Sequence, residues 1–335
     1  MNPSHPKNIN IQDVAKEAKV SEATVSRVIN KLGSVRKENR LRVEAAIQKL
    51  KFSPNVSAQR LAKGASNSIG LVIPRYEGIF FSFFALETLR GVGIACEQQK
   101  LDLVLHIASG DNNFNSSSLG GVIFADILSN KKQVEEAVEG GVNCVVINND
   151  AKDLNINSIC VDNKKGAQLA TEYLIGLGHK NIAIITGELS TQAAQDRLDG
   201  YKSALNLKGV VSREDLIVRG DYSRRSALVA AEELLGLEKP PTAIFASSDD
   251  MAFEAMQVAM EHNLKIPKDL SIIGFDDNPQ CIYTPIALTT VRQPLLEMAK
   301  RAVKLLTEKD ASTKKEIKRI VLPTQLVIRD SCQAL

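Results

Sequence analysis

The stretch Asn10-Ile11-Gln12-Asp13-Val14-Ala15-Lys16-Glu17-Ala18-Lys19-Val20-Ser21-Glu22-Ala23-Thr24-Val25-Ser26-Arg27-Val28-Ile29-Asn30 reads as two short helices joined by a tight turn. Asn10 suits an N-cap, Asp13 sits at the positive end of the first helix, and Ile11, Val14, Ala15 and Ala18 share one face. Ser21 can cap a second helix whose Val25, Val28 and Ile29 form the matching apolar side, with Lys19 and Val20 as the connection. The pattern predicts a helix-turn-helix, with Glu22, Ala23, Ser26 and Arg27 left on the outer side near the start of its second helix. Their chemistry suits base edges: Arg27 can donate twice to guanine, Glu22 can accept from a cytosine amino group, and Ala23 can touch a thymine methyl. The competing reading is a helical hairpin with a polar outer face.

Charge argues against that competitor. Residues 1–64 hold 13 Lys and Arg against 5 Asp and Glu, whereas the other 271 residues hold 29 against 34. A basic head on an acidic body is the footprint of a module that displaces counterions from phosphates. A third helix is expected over residues 35–50, with Val43, Ala46, Ile47 and Leu50 closing a small core and Arg36, Lys37, Arg40 and Arg42 facing outward. The small polar run 63–68 then suits a domain boundary.

From Ile69 onward, short aliphatic runs alternate with helical stretches. Buried parallel strands are predicted at 69–73, 101–107, 121–125 and 144–147, and again at 182–186, 216–218, 243–246 and 272–275, with helices such as 164–176 and 250–262 between them. Two runs of about four strands predict an α/β core with two doubly wound parallel sheets.

Asp13-Val14-Ala15, Val20-Ser21, Thr24-Val25-Ser26-Arg27-Val28, Pro54-Asn55, Ile69-Gly70-Leu71-Val72, Gly178-His179, Arg197-Leu198-Asp199-Gly200-Tyr201, Asp249-Asp250-Met251-Ala252, Gly274-Phe275-Asp276-Asp277 and Leu288-Thr289-Thr290-Val291-Arg292-Gln293-Pro294 follow one another along the chain. In order and density they resemble the LacI (lactose repressor/galactose repressor) family of bacterial transcriptional regulators. The resemblance implies an all-α helix-turn-helix head with a hinge helix, residues 1–64, and a two-lobed periplasmic-binding-protein-like core, residues 65–335. Lobe one would take about 67–161 and 292–321, and lobe two about 162–290 and 322–332, with crossings near Asp162, 288–293 and Leu322.

On the same resemblance Ser21, Glu22, Ala23, Thr24, Ser26, Arg27 and Asn30 would meet double-stranded operator DNA. Asn55, Ala58, Gln59, Arg60 and Leu61 would belong to a hinge helix, with Leu61 as a minor-groove wedge. The chain departs from the family pattern at Lys19 (usually glycine), at Arg36 (usually a small cap), at Gln59-Arg60, at Glu254 (usually glycine) and in a shortened 109–121 segment. That segment, rich in Asn, Ser and Gly, is expected as a loop or single turn.

Ligands of open α/β sheets lodge at the carboxyl ends of strands. The candidates are Arg75, Tyr76, Phe80, Phe81, Ser109, Asp126 and Asn148 from the first run, and Arg197, Ser248, Asp249 and Asp276 from the second. Arg197 and Asp276 match family positions that grip a sugar-like or purine-like effector. Asp249 competes for a helix-cap role, and Phe81 for a place in the core. The implied assembly is a homodimer on a pseudo-palindromic site. Only four residues follow Ser331, too few for a tetramer-forming heptad helix.

Catalysis finds little support. The four histidines, His5, His106, His179 and His262, accompany no nucleophile elbow, phosphate loop or metal pair, so neither a cofactor nor a metal is expected. Five scattered cysteines read as buried thiols. No apolar run reaches about 18 residues and residues 1–8 are polar, which predicts a cytoplasmic protein without membrane contact. A solute-binding protein would share the cleft but not the basic head, and a sugar-processing enzyme would need an acid-base pair that the sequence does not offer.

Overall fold

A computed structural model describes residues 11–29, 35–50, 66–75, 79–108, 114, 116, 118–128, 130–308 and 316–335. The backbone divides into two compact units, one within Met1–Ser66 and the other Asn67–Leu335.

The first unit holds α1 (Ile11–Ala18), α2 (Glu22–Ile29) and α3 (Lys37–Lys49). Val14, Ala15, Ala18, Val25, Val43 and Ala46 are buried together, and Ile11, Val20, Val28, Ile29, Ile47 and Leu50 close around them. The apolar spacing of each helix thus becomes one shared core. Lys19 adopts the left-handed φ of 53°, and the Val20 N–H donates to the Ala15 carbonyl at 3.0 Å, the bond that reverses the chain after α1. A lysine holds here the conformation that glycine adopts more cheaply. The predicted third helix begins two residues later than expected. Arg36 takes the N-cap with no side-chain hydrogen bond, because its side chain offers donors and no acceptor for the first amides. Lys49 ties α3 to α1 through Glu17 at 2.7 Å.

The second unit runs β1 (Ser68–Pro74), α4 (Phe83–Gln98), β2 (Asp102–Ala108), β3 (Gly121–Ala125), α5 (Lys131–Glu139), β4 (Cys144–Ile147), β5 (Asn157–Val161), α6 (Asn163–Gly176), β6 (Ile182–Ile185), α7 (Gln192–Leu207), β7 (Ile217–Val218), α8 (Arg224–Leu235), β8 (Ala243–Ala246), α9 (Asp249–Glu261), β9 (Ser271–Asp276), β10 (Thr289–Arg292), α10 (Leu295–Thr307), β11 (Arg319–Leu322) and β12 (Gln325–Val327). It contains two six-stranded sheets, in the orders β11-β5-β4-β3-β1-β2 and β12-β10-β9-β8-β6-β7. Among the described residues every pairing is parallel except β10 with β12. Each sheet therefore carries two strands more than the aliphatic runs predicted. These are β5 and β11 in one and β10 and β12 in the other, short segments at the places where the chain crosses between sheets. Their mixed residues (Asn157, Ser158, Thr289, Thr290, Gln325) hide them from a search for apolar runs.

Helices cover both faces of each sheet, as parallel strands demand. Ile69, Leu71, Ile123 and Val145 of the first sheet pack with Val92 of α4 and Met298 and Val303 of α10, while Phe124, Val146 and Val134 form the opposite side. Ile244, Ile272, Ala230 and Ala255 make one core of the second sheet, and Ile184, Phe245, Leu174 and Tyr201 the other. Helices α6 and α7 cross closely because residue 200 is glycine: a Cβ there would stand 2.2 Å from the Lys164 carbonyl oxygen.

Of the 109–121 segment, the structure describes Phe114, Ser116 and 118–121. The Phe114 ring stacks on His106 with centroids 4.7 Å apart, and Leu119 joins the core beside Val122. All five cysteines are buried free thiols. His179, expected as part of a helix stop, follows Gly178 with φ of 93° and is a buried pin: Nδ1 meets Thr242 Oγ1 at 2.9 Å, and Nε2 meets Ser271 Oγ and the Gln333 carbonyl at 3.1 Å.

Candidate DNA-reading helix and ligand cleft

Helix α2 turns its apolar side inward and leaves Ser21, Glu22, Ala23 and Arg27 exposed, with Thr24 and Ser26 half-buried. Ser21 caps the helix: its Oγ accepts from the Thr24 N–H at 3.3 Å and its carbonyl from the Val25 N–H at 3.1 Å. Side chains at the exposed start of such a helix can enter a major groove. Arg36, Lys37, Arg40 and Arg42 are exposed on α3, a cationic surface within the same unit, although Arg42 is partly engaged by Asn39 and Glu38. Asn30, Asn55, Ala58, Gln59, Arg60 and Leu61 lie outside the described residues.

In the second unit a cavity of about 380 Å³ lies where both sheets present the carboxyl ends of their strands. Asp126 follows β3, Asn148 follows β4, Asp276 ends β9, Gln293 follows β10 and Ser248 follows β8, and all five line it, with Arg197 reaching in from α7. Four of the lining residues hold positive φ without being glycine: Asp126 (85°), Asn148 (63°), Tyr222 (69°) and Asp276 (135°). Non-glycine residues in that region are uncommon and concentrate at functional sites, where the surrounding fold imposes them. Helices α4, α7, α8 and α9 start at the same rim. Their caps Ser82, Thr191, Ser223 and Ser248 each accept an amide of their own first turn.

Arg197 is the fixed cation of the site and is 4 % exposed. Its Nε donates to Asn163 Oδ1 at 2.9 Å, an Nη donates to the Ser247 carbonyl, and the guanidinium lies 3.9 Å from the Phe275 ring centroid. Asp126 accepts from the Ile127 N–H at 2.7 Å and from Asn148 Nδ2 at 2.8 Å, while Asp276 accepts from Gln293 Nε2. Each carboxylate thus uses an amide nitrogen and leaves the amide oxygen, Asn148 Oδ1 or Gln293 Oε1, buried without a partner.

Burial pushes the Asp126 carboxyl up to about 6, opposed by the bonds from Ile127 and Asn148. Asp276 is raised well above the ordinary carboxylate value by burial, with the charge of Asp249 adding and that of Arg197 opposing. A raised pKa means that the native state holds this proton more tightly than the unfolded chain. The stabilisation is complete below about pH 4 and is lost as pH rises through about 6. Asp126→Asn should therefore match the parent's melting temperature at pH 4 and exceed it by a few degrees at pH 8, a difference of up to ~3 kcal/mol. Equal melting temperatures at pH 8 would contradict this reading of Asp126.

Some sequence candidates stand elsewhere. Asp249 does not line the cavity. It is fully buried, with Oδ2 accepting from the Asn278 N–H at 2.7 Å and the Cys281 thiol at 3.2 Å, and Oδ1 accepting from the Thr290 hydroxyl. It pins α9 to β10, and Ser248 takes the cap role instead. Asp249→Ala, which strands those donors, should cost ~3 kcal/mol in urea unfolding, and a cost below ~0.5 kcal/mol would refute the pin. Phe80 is 63 % exposed and off the cavity, since it sits on a one-turn 3₁₀ segment before α4. Phe83 and Phe84, two positions the sequence reading passed over in the same aromatic run, supply the apolar wall. Arg75 is exposed and does not line the cavity. Tyr76, Ser109 and the Phe81 side chain lie outside the described residues.

Glu188, Asp221, Tyr222, Asp250 and Gln293 also line the cavity, although sequence reasoning did not name them. Gln293 and Asp250 stood within quoted motifs, whereas Glu188, Asp221 and Tyr222 lie two to four residues beyond predicted strand ends. Glu254, the departure from glycine, is buried beside the cavity wall and pairs with Arg224, bracing α9 against α8.

The comparisons decide the family. The model of bacterial regulatory proteins of the lacI family matches residues 10–55, and that of the periplasmic binding protein-like domain matches 171–332. The probable HTH-type transcriptional repressor ExuR of Bacillus subtilis (strain 168) is 33 % identical over 338 residues, covering 98 % of this chain and 99 % of that relative. The chain belongs to the LacI family.

Among solved structures, a Lac repressor dimer bound to operator and the anti-inducer ONPF is similar at a TM-score of 0.82 and 27 % identity, over 98 % of this chain and 100 % of that one. A complex of the transcriptional regulator CelR with cellobiose is similar at 0.72 and 28 %, over 96 % and 99 %. This LacI-family protein is a DNA-binding transcriptional regulator with a helix-turn-helix head and a periplasmic-binding-protein-like core, not an enzyme. No helix among the described residues is long and apolar enough to cross a membrane.

Proposed function

We propose that this LacI-family regulator is a cytoplasmic repressor that binds a pseudo-palindromic operator as a homodimer and changes its grip when a small metabolite enters the cavity of the core. The observation that carries the DNA half is the exposure of Glu22, Ala23 and Arg27 along a helix whose opposite side builds the core. Two such helices in a dimer would meet half-sites about one helical turn apart. Residues 1–64 would be the head and hinge, and 65–335 the effector-binding and dimerising core, in the two lobes read from the sequence. In the hinge, Leu61 would open a base step and bend the duplex.

The effector half rests on the cavity between the two sheets, with Asp126, Asn148, Arg197, Ser248 and Asp276 as its contacts. The similar structures hold operator with an anti-inducer in one case and cellobiose in the other, in keeping with both halves. Two hydrogen bonds join the sides of the core here, one at the cavity and one in the neighbouring pocket that Asp150 and Gln192 line. The Asp150 N–H donates to Gln192 Oε1 at 2.9 Å, and the Phe83 N–H donates to the Asp250 carboxylate. A ligand that alters these contacts would bias the two-state core, and with it the spacing of the heads. Titrating a labelled operator complex with a metabolite panel tests the proposal. Complex retention that shifts with at least one small polyhydroxylated or heterocyclic compound is the expected result, and retention indifferent to every compound that binds the core would overturn it.

A further inference from the structure

Acidic side chains predominate among the charged groups of the cavity. Asp126, Glu188, Asp221, Asp250 and Asp276 line it, and among the described lining residues Arg197 is the sole cation. Two of its donors are held by Asn163 and the Ser247 carbonyl and its face by the Phe275 ring, which leaves one edge of the guanidinium for a ligand. Two further acceptors, Asn148 Oδ1 and Gln293 Oε1, belong to side chains 8 % and 6 % exposed and have no donor. Buried acceptors without partners are costly, so a ligand donor that reached either oxygen would stabilise the bound state.

Helix N-termini ordinarily favour anions, and four of them converge here. In this protein one amide of each first turn is taken by its cap, and one more by an acidic side chain at α4. Ser82, Thr191, Ser223 and Ser248 accept from Ala85, Ala194, Ser226 and Met251, and the Asp250 carboxylate takes the Phe83 N–H. The Asp221 carboxylate accepts from the Ser223 N–H at 2.8 Å, and bonds from Ser223 and Ser226 hold it below the usual carboxylate range despite burial. An entering phosphate or carboxylate would find those amides taken and five acidic side chains around it.

From this we infer that the cavity selects its effector by charge, taking a polyhydroxylated small molecule that bears a protonated amine and turning away sugar phosphates and sugar acids. The hydroxyls supply donors to Asn148, Gln293 and the carboxylates, the ammonium offsets the excess of acidic groups, and Phe83 with Phe84 covers the apolar face of a ring. The inference rests on the effector reading above and narrows it to one class of compound.

Calorimetry on the full chain at pH 7.5 tests it with matched series: glucose, galactose and mannose, their 2-amino counterparts, their 6-phosphates, and glucuronate and galacturonate. The expected result is that at least one hexose series binds, with the amino member about tenfold tighter than its parent and the anionic members at least about tenfold weaker. Asp221→Asn should reduce the amino preference severalfold while the neutral hexose loses less. An anionic member that binds as tightly as its parent, an amino preference unchanged in Asp221→Asn, or silence from every series would overturn the inference. Duplex retention by the same preparation separates the two levels. A protein that holds a selected duplex and responds to a metabolite outside these series refutes the charge selection alone, whereas one indifferent to all its ligands refutes the effector reading.

Discussion

Arg27→Ala should lower affinity for the cognate duplex by about ten- to a hundredfold while leaving affinity for random-sequence duplex, and the dependence of that affinity on salt, almost unchanged. The magnitude is that of one bidentate contact to a base, ~1–3 kcal/mol of discrimination. Because Arg27 is exposed and the buried residue of α2 is Val25, the substitution should not disturb the three-helix core. The contrast is Arg40→Ala on the exposed side of α3. Removing a cation that serves phosphates should weaken cognate and random duplexes alike and reduce the slope of log affinity against log salt by about one. Binding assays at several salt concentrations separate the two patterns. An Arg27→Ala protein that loses cognate and random binding in equal proportion would show that this side chain positions the head without reading bases.

The second large effect is expected at Arg197. Arg197→Lys keeps a cation but loses the planar fork that joins Asn163 to the Ser247 carbonyl and the flat contact with Phe275. Effector affinity should fall about a hundredfold or more, and the operator complex should cease to respond to effector, while operator affinity without effector stays within about twofold of the parent. Lysine is the informative replacement because alanine would also strand buried acceptors and unbalance Asp126 and Asp276, confusing lost binding with lost folding. Unaltered effector response in Arg197→Lys would remove this residue from the site.

What could be read in the sequence, and what could not, divides along physical lines. The helix-turn-helix was legible because its core is built from neighbours in the chain: Val14, Ala15, Ala18 and Val25 declare their faces within twelve positions. The central strands of both sheets were legible because strands buried on both faces must be continuously apolar. Strands β5, β10, β11 and β12 were not, since they owe their existence to partners far along the chain, as where Thr290 of β10 sits against Gly274 on one side and Val327 on the other. The cavity followed the same rule. Asp126, Asn148, Arg197 and Asp276 were found because strand ends and family positions pointed to them. Glu188 and Asp221 were missed because they lie in connections between strand ends and helix caps whose course no local pattern fixes, and Asp250 because attention went to its neighbour Asp249. Asp249 shows the opposite error: it stands next to two true lining residues, yet one step along a helix turned its carboxylate into the core, to Thr290 and Asn278.

Selection of duplexes from a random pool by the full chain tests the central claim most directly. The expected result is enrichment of a pseudo-palindrome whose half-sites lie about one helical turn apart, with Glu22→Ala, Ala23→Ser and Arg27→Ala each changing the bases enriched at particular half-site positions. Failure to enrich any sequence, or enrichment identical in the parent and all three variants, would contradict the assignment of the exposed edge of α2 as the reader of DNA.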